Sequence, residues 1–128
     1  GQKIAAVHAG WRGLAHGVVE NILGAMAVNP ANVRVWIGPA ISQSAFQVGD
    51  EVRTALLNGD ASCAAYFADD GEGKWLADLA GIAKQRLLNV GVQDVTLSGW
   101  CSFNDATTWY SWRREQEPAR MASLIWRT

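Results

Sequence analysis

The residues from Lys3 to Gly38 constrain the fold of this chain most, because they read as strand, glycine turn, helix and strand in succession. "KIAAVHA" (Lys3 to Ala9) is a short apolar run closed by Gly10, the pattern of a buried strand. Beyond Gly13, the residues Leu14, Val18, Val19, Ile22, Leu23 and Met26 recur at helical spacing and predict a helix to about Ala27. "NPAN" (Asn29 to Asn32) breaks it, and "VRVWIG" (Val33 to Gly38) alternates as a second strand. A β-α-β start of this kind favours a parallel pair joined by a right-handed crossover.

The rest of the chain adds both element types. Asp50 is placed to cap a short helix through Leu57, and a helical turn is expected around Ala64 to Phe67. Leu76, Leu79, Ala80, Ala83 and Leu87 predict a helix from about Trp75 to Asn89, with Gly91 as its left-handed terminator. "DVTLSG" reads as a strand, a polar and aromatic segment follows, and "RMASLIW" (Arg120 to Trp126) reads as a closing strand. The expectation is an α+β fold, a mixed β-sheet with helices packed on it, in a single compact domain over residues 1–128 with no linker. A buried strand needs neighbours, and a chain that opens Gly1-Gln2-Lys3 without methionine reads as a cut rather than a natural start. Its exposed sheet edge is then a candidate surface for a homodimer.

Composition excludes several classes. Hydrophobic residues make up 49% and charged residues 18%, which is globular rather than disordered. A net charge of -1 provides no basic field for nucleic acid or an anionic membrane. No apolar run approaches the roughly 20 residues that span a bilayer. The two cysteines, Cys63 and Cys101, make no disulfide framework and no CxxC pair, so a reducing, cytoplasmic setting fits.

Few residues invite chemistry. His8 sits where the first predicted strand meets "GWRG", and is either a structural histidine or a ligand. Gly10 and Gly13 allow close backbone approach, the amides of the next helix suit an anion, and Arg12 adds a charge shaped for phosphate or carboxylate. The motif is neither a P-loop nor a GxGxxG fingerprint. Cys101, just past a predicted strand end, is either a small hydrophobe or a nucleophile that needs a base such as His8; Cys63 has the weaker claim. Arg113, Arg114 and Arg120 follow Trp109, Tyr110 and Trp112, an arrangement that suits a nucleobase and phosphate or a surface paired with Glu115 and Glu117. Asp78 reads as an exposed or capping residue and His16 as solvated. No zinc site is complete within the chain, since His8 has no His, Cys or Asp partner at ligand spacing.

Several segments together resemble one family. "VHAGWRGL" (Val7 to Leu14), "IGPAIS" and "FQVGDEV" (within Ile37 to Val52), "LADL" (Leu76 to Leu79), "LLNVGV" (Leu87 to Val92) and the tail from "CSFNDATTWYSWRR" to "ARMASLIW" occur in the order found in the laccase-domain family. That family is also called polyphenol oxidase, peptidoglycan editing factor or purine nucleoside phosphorylase. The resemblance covers essentially the whole chain but about the C-terminal half of a family member, implying that the upstream half is absent.

The resemblance implies that His8 is a zinc ligand, with a histidine and a cysteine upstream as the other two; neither Cys63 nor Cys101 stands in for that cysteine. It implies a small-molecule substrate, a purine nucleoside with phosphate, processed by deamination or phosphorolysis. Arg12 and Arg113 are then candidates for holding anionic groups, and Cys101 for lining the pocket or acting catalytically. A muropeptide precursor is the alternative substrate, and a non-catalytic truncated domain the alternative role. Copper oxidation is disfavoured, because a multicopper site needs many histidines and this chain has only His8 and His16. Two departures bear on pocket shape. The family's Phe-Phe-Ser-Tyr-Arg-Arg is here Trp109-Tyr110-Ser111-Trp112-Arg113-Arg114, and Gln47 replaces a common Glu.

Overall fold

A computed structural model describes all residues except Gly1, Gln2, Gly59 and Glu117. The expectations placed on the Gly1-Gln2 start and on Glu117 as an ion-pair partner lie outside the described residues.

The first surprise is in the opening segment. Residues 3–9 form no strand, and both Ile4 and Val7 stay partly exposed. Apolar character alone does not make a strand; a ladder needs a partner edge, and none of the described strands pairs with this segment. The expected β-α-β start is therefore corrected.

The helix expected after Gly13 is two helices. Helix α1 spans Trp11–Ala15 and α2 spans Val18–Met26. They part at Gly17, whose left-handed φ of 76° suits glycine and turns the chain. Leu14, Val19 and Leu23 still point to the core. Asn29 then accepts the amide of Ala31 at 3.0 Å and opens a 3₁₀ turn, Pro30–Asn32.

Strand β1 (Arg34–Ile37) falls where the alternation of "VRVWIG" puts it. Its parallel partner is β5 (Asp94–Leu97), in the register Arg34↔Asp94 to Ile37↔Leu97. An exposed ion pair of 2.7 Å joins Arg34 to Asp94 on that register. The crossover between these strands carries a second, antiparallel sheet in the order β2-β4-β3, with β2 at Gln47–Gly49, β3 at Phe67–Asp69 and β4 at Lys74–Ala77. The fold is α+β with both pairing types, as expected, but they occupy separate sheets.

Helix α3 (Asp50–Leu57) is capped by Gly49, not by Asp50, whose carboxylate instead accepts the indole N–H of Trp75 at 2.7 Å. The helix expected from Trp75 begins only at Leu79: α4 spans Leu79–Asn89, and the preceding residues belong to β4. Asp78 separates the two by accepting the amide of Gly81 at 2.9 Å, an N-cap that stops the strand and starts the helix. Gly91 ends α4 as expected, with φ 96° and its amide on the Leu88 carbonyl. The short α5 (Trp112–Glu115) follows in the aromatic segment. The expected closing strand, Arg120 to Trp126, is not a strand, and Leu124 is 82% exposed. Like residues 3–9, it lacks a ladder partner.

The core lies where α1, α2, α3 and α4 meet the antiparallel sheet. Leu14, Leu56, Cys63, Ile82 and Val92 are fully buried there. Each buried aliphatic side chain of this kind contributes roughly 1.5–3 kcal/mol.

Candidate functional site

The pairing of β1 with β5 continues past both strands and builds a cleft. The amide of Ser98 donates to the Ile37 carbonyl at 2.8 Å, that of Ala40 to Trp100 at 3.2 Å, and that of Ser102 to Ala40 at 2.9 Å. Ala40 and Cys101 thereby bridge in parallel. The space outside the carboxyl ends of parallel strands is where open α/β sheets place their ligands. A cleft of about 230 Å³ opens there, lined by Ser42, Gln43, Asp78, Ser98, Trp100 and Cys101 among others.

Cys101 borders this cleft as a half-buried free thiol. Its sulfur lies 3.1 Å from the Ser42 hydroxyl oxygen and accepts the Ser42 amide at 3.3 Å. Burial pushes the thiol pKa up. The Ser42 side chain and the amides of Asn104, Ser42 and Phe103 outweigh burial and hold it below the ordinary value. Cys63 is the opposite case. Burial and the neighbouring Asp60 carboxylate raise its pKa to about 11, so it is an inert core thiol. Both cysteines are free.

The cleft floor is held from the antiparallel sheet. Gln43 donates through one amide nitrogen to the carbonyls of Tyr66 at 3.3 Å and Leu76 at 3.2 Å. Asp78 reaches the cleft from the start of α4, already bonded to Gly81.

The other residues singled out in the sequence lie elsewhere. His8 is exposed, and its Nε2 lies 3.4 Å from where a Cβ on Gly10 would sit, so the imidazole rests over the glycine backbone. The helix that follows is only five residues, Trp11–Ala15, and gives little of the expected anion-binding terminus. Arg12 is exposed, with its guanidinium 4.4 Å from the Trp11 ring centre. Arg113 stacks 5.3 Å over Phe46 and donates to the Gln47 carbonyl at 3.3 Å. Among the described residues no hydrogen bond or ring contact joins His8 to Cys101 or Arg12 to Arg113.

Arg114 has a structural task. It donates to the carbonyls of Ser102 (3.2 Å), Phe103 and Trp109 (2.6 Å) and pairs with Glu115 at 2.6 Å, which ties the aromatic segment to the loop holding Cys101. Hydrogen bonds from Arg114 in turn hold the Glu115 carboxyl below its ordinary range. His16 is exposed, with Nδ1 2.8 Å from the Arg12 carbonyl. Sequence reasoning missed Ser42, Gln43 and Trp100. The signal for them was present: "GPAIS" and "SGWC" both follow strands, and the carboxyl ends of two parallel strands meet.

Among the described residues, no three His, Cys, Asp or Glu side chains come close enough to hold a metal ion. His8 alone is one donor where zinc takes three or four, so these residues do not by themselves fit the group that the sequence resemblance implies. No helix of the described residues is long and apolar enough to cross a membrane.

A parallel strand pair with a cleft at its carboxyl ends, packed on an antiparallel sheet and helices, defines an α+β protein. Residues 1–128 match the family described as multi-copper polyphenol oxidoreductase laccase, and the chain belongs to that family. It is 46% identical over 126 residues to the purine nucleoside phosphorylase YfiH of Escherichia coli (strain K12), covering 98% of this chain and 51% of that protein. It is 42% identical over 127 residues to the purine nucleoside phosphorylase PA4543 of Pseudomonas aeruginosa, covering 98% and 52%. The chain thus spans about half the length of the curated relatives it matches. Among solved structures, Neisseria meningitidis protein NMB0706 superposes with a TM-score of 0.81 at 41% identity, over 84% of this chain and 45% of that one. YlmD from Geobacillus stearothermophilus gives 0.80 at 26% identity, over 86% and 43%.

Proposed function

We propose that this chain is the cleft-bearing part of a purine nucleoside-processing enzyme. The observation that carries the reading is the cleft at the carboxyl ends of β1 and β5, a largely apolar space with a few polar groups from Ser42, Gln43, Asp78 and Ser98, in a chain 46% identical to a relative named purine nucleoside phosphorylase.

In phosphorolysis a phosphate oxygen bonds to C1′ of the ribose while the C1′–N9 bond breaks and the purine leaves with a proton. The chain's own residues suit parts of that task. Ser42, Gln43 and Asp78 offer hydrogen-bonding groups to a nucleoside, and the low-pKa thiol of Cys101 borders the same space. Arg12 and Arg113 lie outside the cleft lining; they stack on aromatic rings, form none of the ion pairs found among the described residues, and are proposed as charges that draw phosphate toward the cleft rather than as groups lining it.

His8 is proposed as one donor to a zinc ion whose remaining donors lie beyond the described residues, in keeping with relatives about twice the length of this chain. Bound zinc would supply a Lewis acid and a source of hydroxide near neutral pH. A cytoplasmic setting goes with this reading, since both thiols are free and nucleosides with phosphate are available there.

The test is chromatography of adenosine and inosine incubated with the chain, with and without phosphate, beside elemental analysis of metal. Phosphate-dependent release of adenine or hypoxanthine, weakened in Arg113→Ala, is the expected result. Conversion of adenosine to inosine would point to deamination instead. Neither binding nor turnover of either nucleoside would overturn the reading and favour a muropeptide substrate or a non-catalytic domain. Metal that binds equally well to His8→Ala would remove His8 from the site.

A further inference from the structure

We propose that Trp100, backed by Trp109, is the wall against which the cleft stacks a purine base. This rests on the nucleoside reading above and names the residue that would recognise the base.

Trp100 lines the cleft and is 57% exposed. An indole carries a large apolar area, and here it continues the largely apolar lining of the cleft given by Ile37, Ala40, Ile41 and Leu97, so a flat apolar face entering the cleft would cover both. One side of the ring is already engaged. Trp109 stacks on it with ring centres 5.7 Å apart and 28° between planes. The pair is anchored at both ends. The Trp100 carbonyl accepts the Ala40 amide at 3.2 Å, and its amide reaches the Ser98 hydroxyl at 3.3 Å. The Trp109 carbonyl accepts the Arg114 guanidinium at 2.6 Å, and that guanidinium also holds Ser102 and Phe103. These bonds hold the backbone of both residues, and the stack on Trp109 restrains the Trp100 ring itself, so less conformational freedom is lost when a ligand stacks on it.

The chemistry selects a flat heterocycle with a polar edge. An aromatic face accepts any base by stacking, without reading its identity. Ser42, Gln43 and Asp78 on the cleft's other lining offer the edge its hydrogen bonds. The volume, about 230 Å³, lies just below the roughly 300–1,000 Å³ of sites that enclose a drug-sized ligand. It suits one bicyclic base with its ribose left toward solvent.

Calorimetric titration of the chain with adenosine, inosine and free ribose tests the proposal, run on wild type, Trp100→Ala and Trp100→Phe. Nucleoside affinity is expected to fall roughly 5- to 100-fold in Trp100→Ala, the range for losing one base–aromatic stack. It should return to near wild type in Trp100→Phe, which also shows that the loop still folds. Ribose, lacking the base, should respond to neither change. Equal adenosine affinity in wild type and Trp100→Ala would overturn the stacking wall and leave the nucleoside reading standing. Absence of nucleoside binding by the wild type would overturn that reading, and the stacking wall with it.

Discussion

The sulfur of Cys101 lies 3.1 Å from the hydroxyl of Ser42, a residue 59 positions earlier in the chain, because the parallel pairing of β1 with β5 runs on into the loops beyond them. With the thiol protonated, S–H donates to the hydroxyl. When the proton leaves, the hydroxyl and nearby amides point donors at the thiolate, and this favours the charged form. Alkylation by iodoacetamide at neutral pH should therefore modify Cys101 and spare Cys63. Ser42→Ala should move the onset of Cys101 labelling to higher pH. Peptide mass mapping across pH 6–10 reads both rates; comparable labelling of the two cysteines in the native protein would contradict the assignment.

Cys63 predicts a pH dependence of stability. Its pKa is raised from 9.0 to about 11 by burial first and by Asp60 second. A raised folded-state value means the folded protein holds the proton more tightly than the unfolded chain. The contribution is fully present below about 9 and is lost as pH rises from there to about 11. The loss is at most about 3 kcal/mol. Urea midpoints at pH 8 and pH 10.5 should separate for the wild type, and the gap should shrink in Cys63→Ala. An unchanged gap would assign the alkaline loss to other groups.

Gly81 should reverse the usual helix rule. It lies in the first turn of α4, where alanine ordinarily stabilises by about 1 kcal/mol relative to glycine. A Cβ at this position would collide with the Tyr66 ring and the Asp78 carboxylate. Tyr66 is fixed by its bond to Gln85 at 3.1 Å, and Asp78 is the cap itself. Gly81→Ala should then destabilise by about 1–3 kcal/mol, the usual cost of overpacking. A rise in melting temperature would show that the turn has room.

Arg86 joins three elements. It pairs with Glu20 of α2 at 3.0 Å and donates to the Leu56 carbonyl of α3 at 3.1 Å, with its own side chain nearly fully buried. Removing one partner of a buried pair leaves the other charge unmatched, a loss of about 3–5 kcal/mol. Arg86→Met should lower the unfolding free energy from urea titration by up to that amount, since Glu20 keeps some contact with water, and Glu20→Gln in the same chain should recover part of it. If the double variant is no better than Arg86→Met, the carbonyl contact and packing of Arg86 dominate over its charge pair.

What was legible in the sequence was mostly local. Alternation placed β1, helical spacing placed α2, and Gly91 marked the end of α4. The helix expected from Trp75 went wrong because Leu76 fits the helical repeat of Leu79, Ala80 and Ala83 by accident. The true division is the Asp78 cap, which within the helical repeat looks like an exposed or capping residue and not like a boundary. The cleft was out of reach for a different reason. Cys101 was marked but not Ser42, since their meeting depends on a pairing of residues 34–37 with 94–97, and no local pattern states it. Arg114 was grouped with Arg113 on charge, although only its geometry reveals that it braces three carbonyls.

The two expected strands that are not strands lead to the final prediction. Residues 3–9 and 120–126 carry strand-like apolar sequence, yet neither joins a sheet, and Leu124 and Trp126 are 82% and 73% exposed. The β1–β5 pair is parallel and only two-stranded, with no third described strand on its outer edges and Trp36 exposed on its surface. Parallel sheets are normally covered on both faces, and open edges recruit further strands. The chain should therefore self-associate at high concentration, with a second copy the proposed occupant of those edges. Sedimentation velocity from micromolar to near-millimolar protein should show a dimer, and Trp36→Lys, on the exposed surface of β1, should shift it to monomer. A wild-type chain that stays monomeric throughout would mean that these edges attract no second copy.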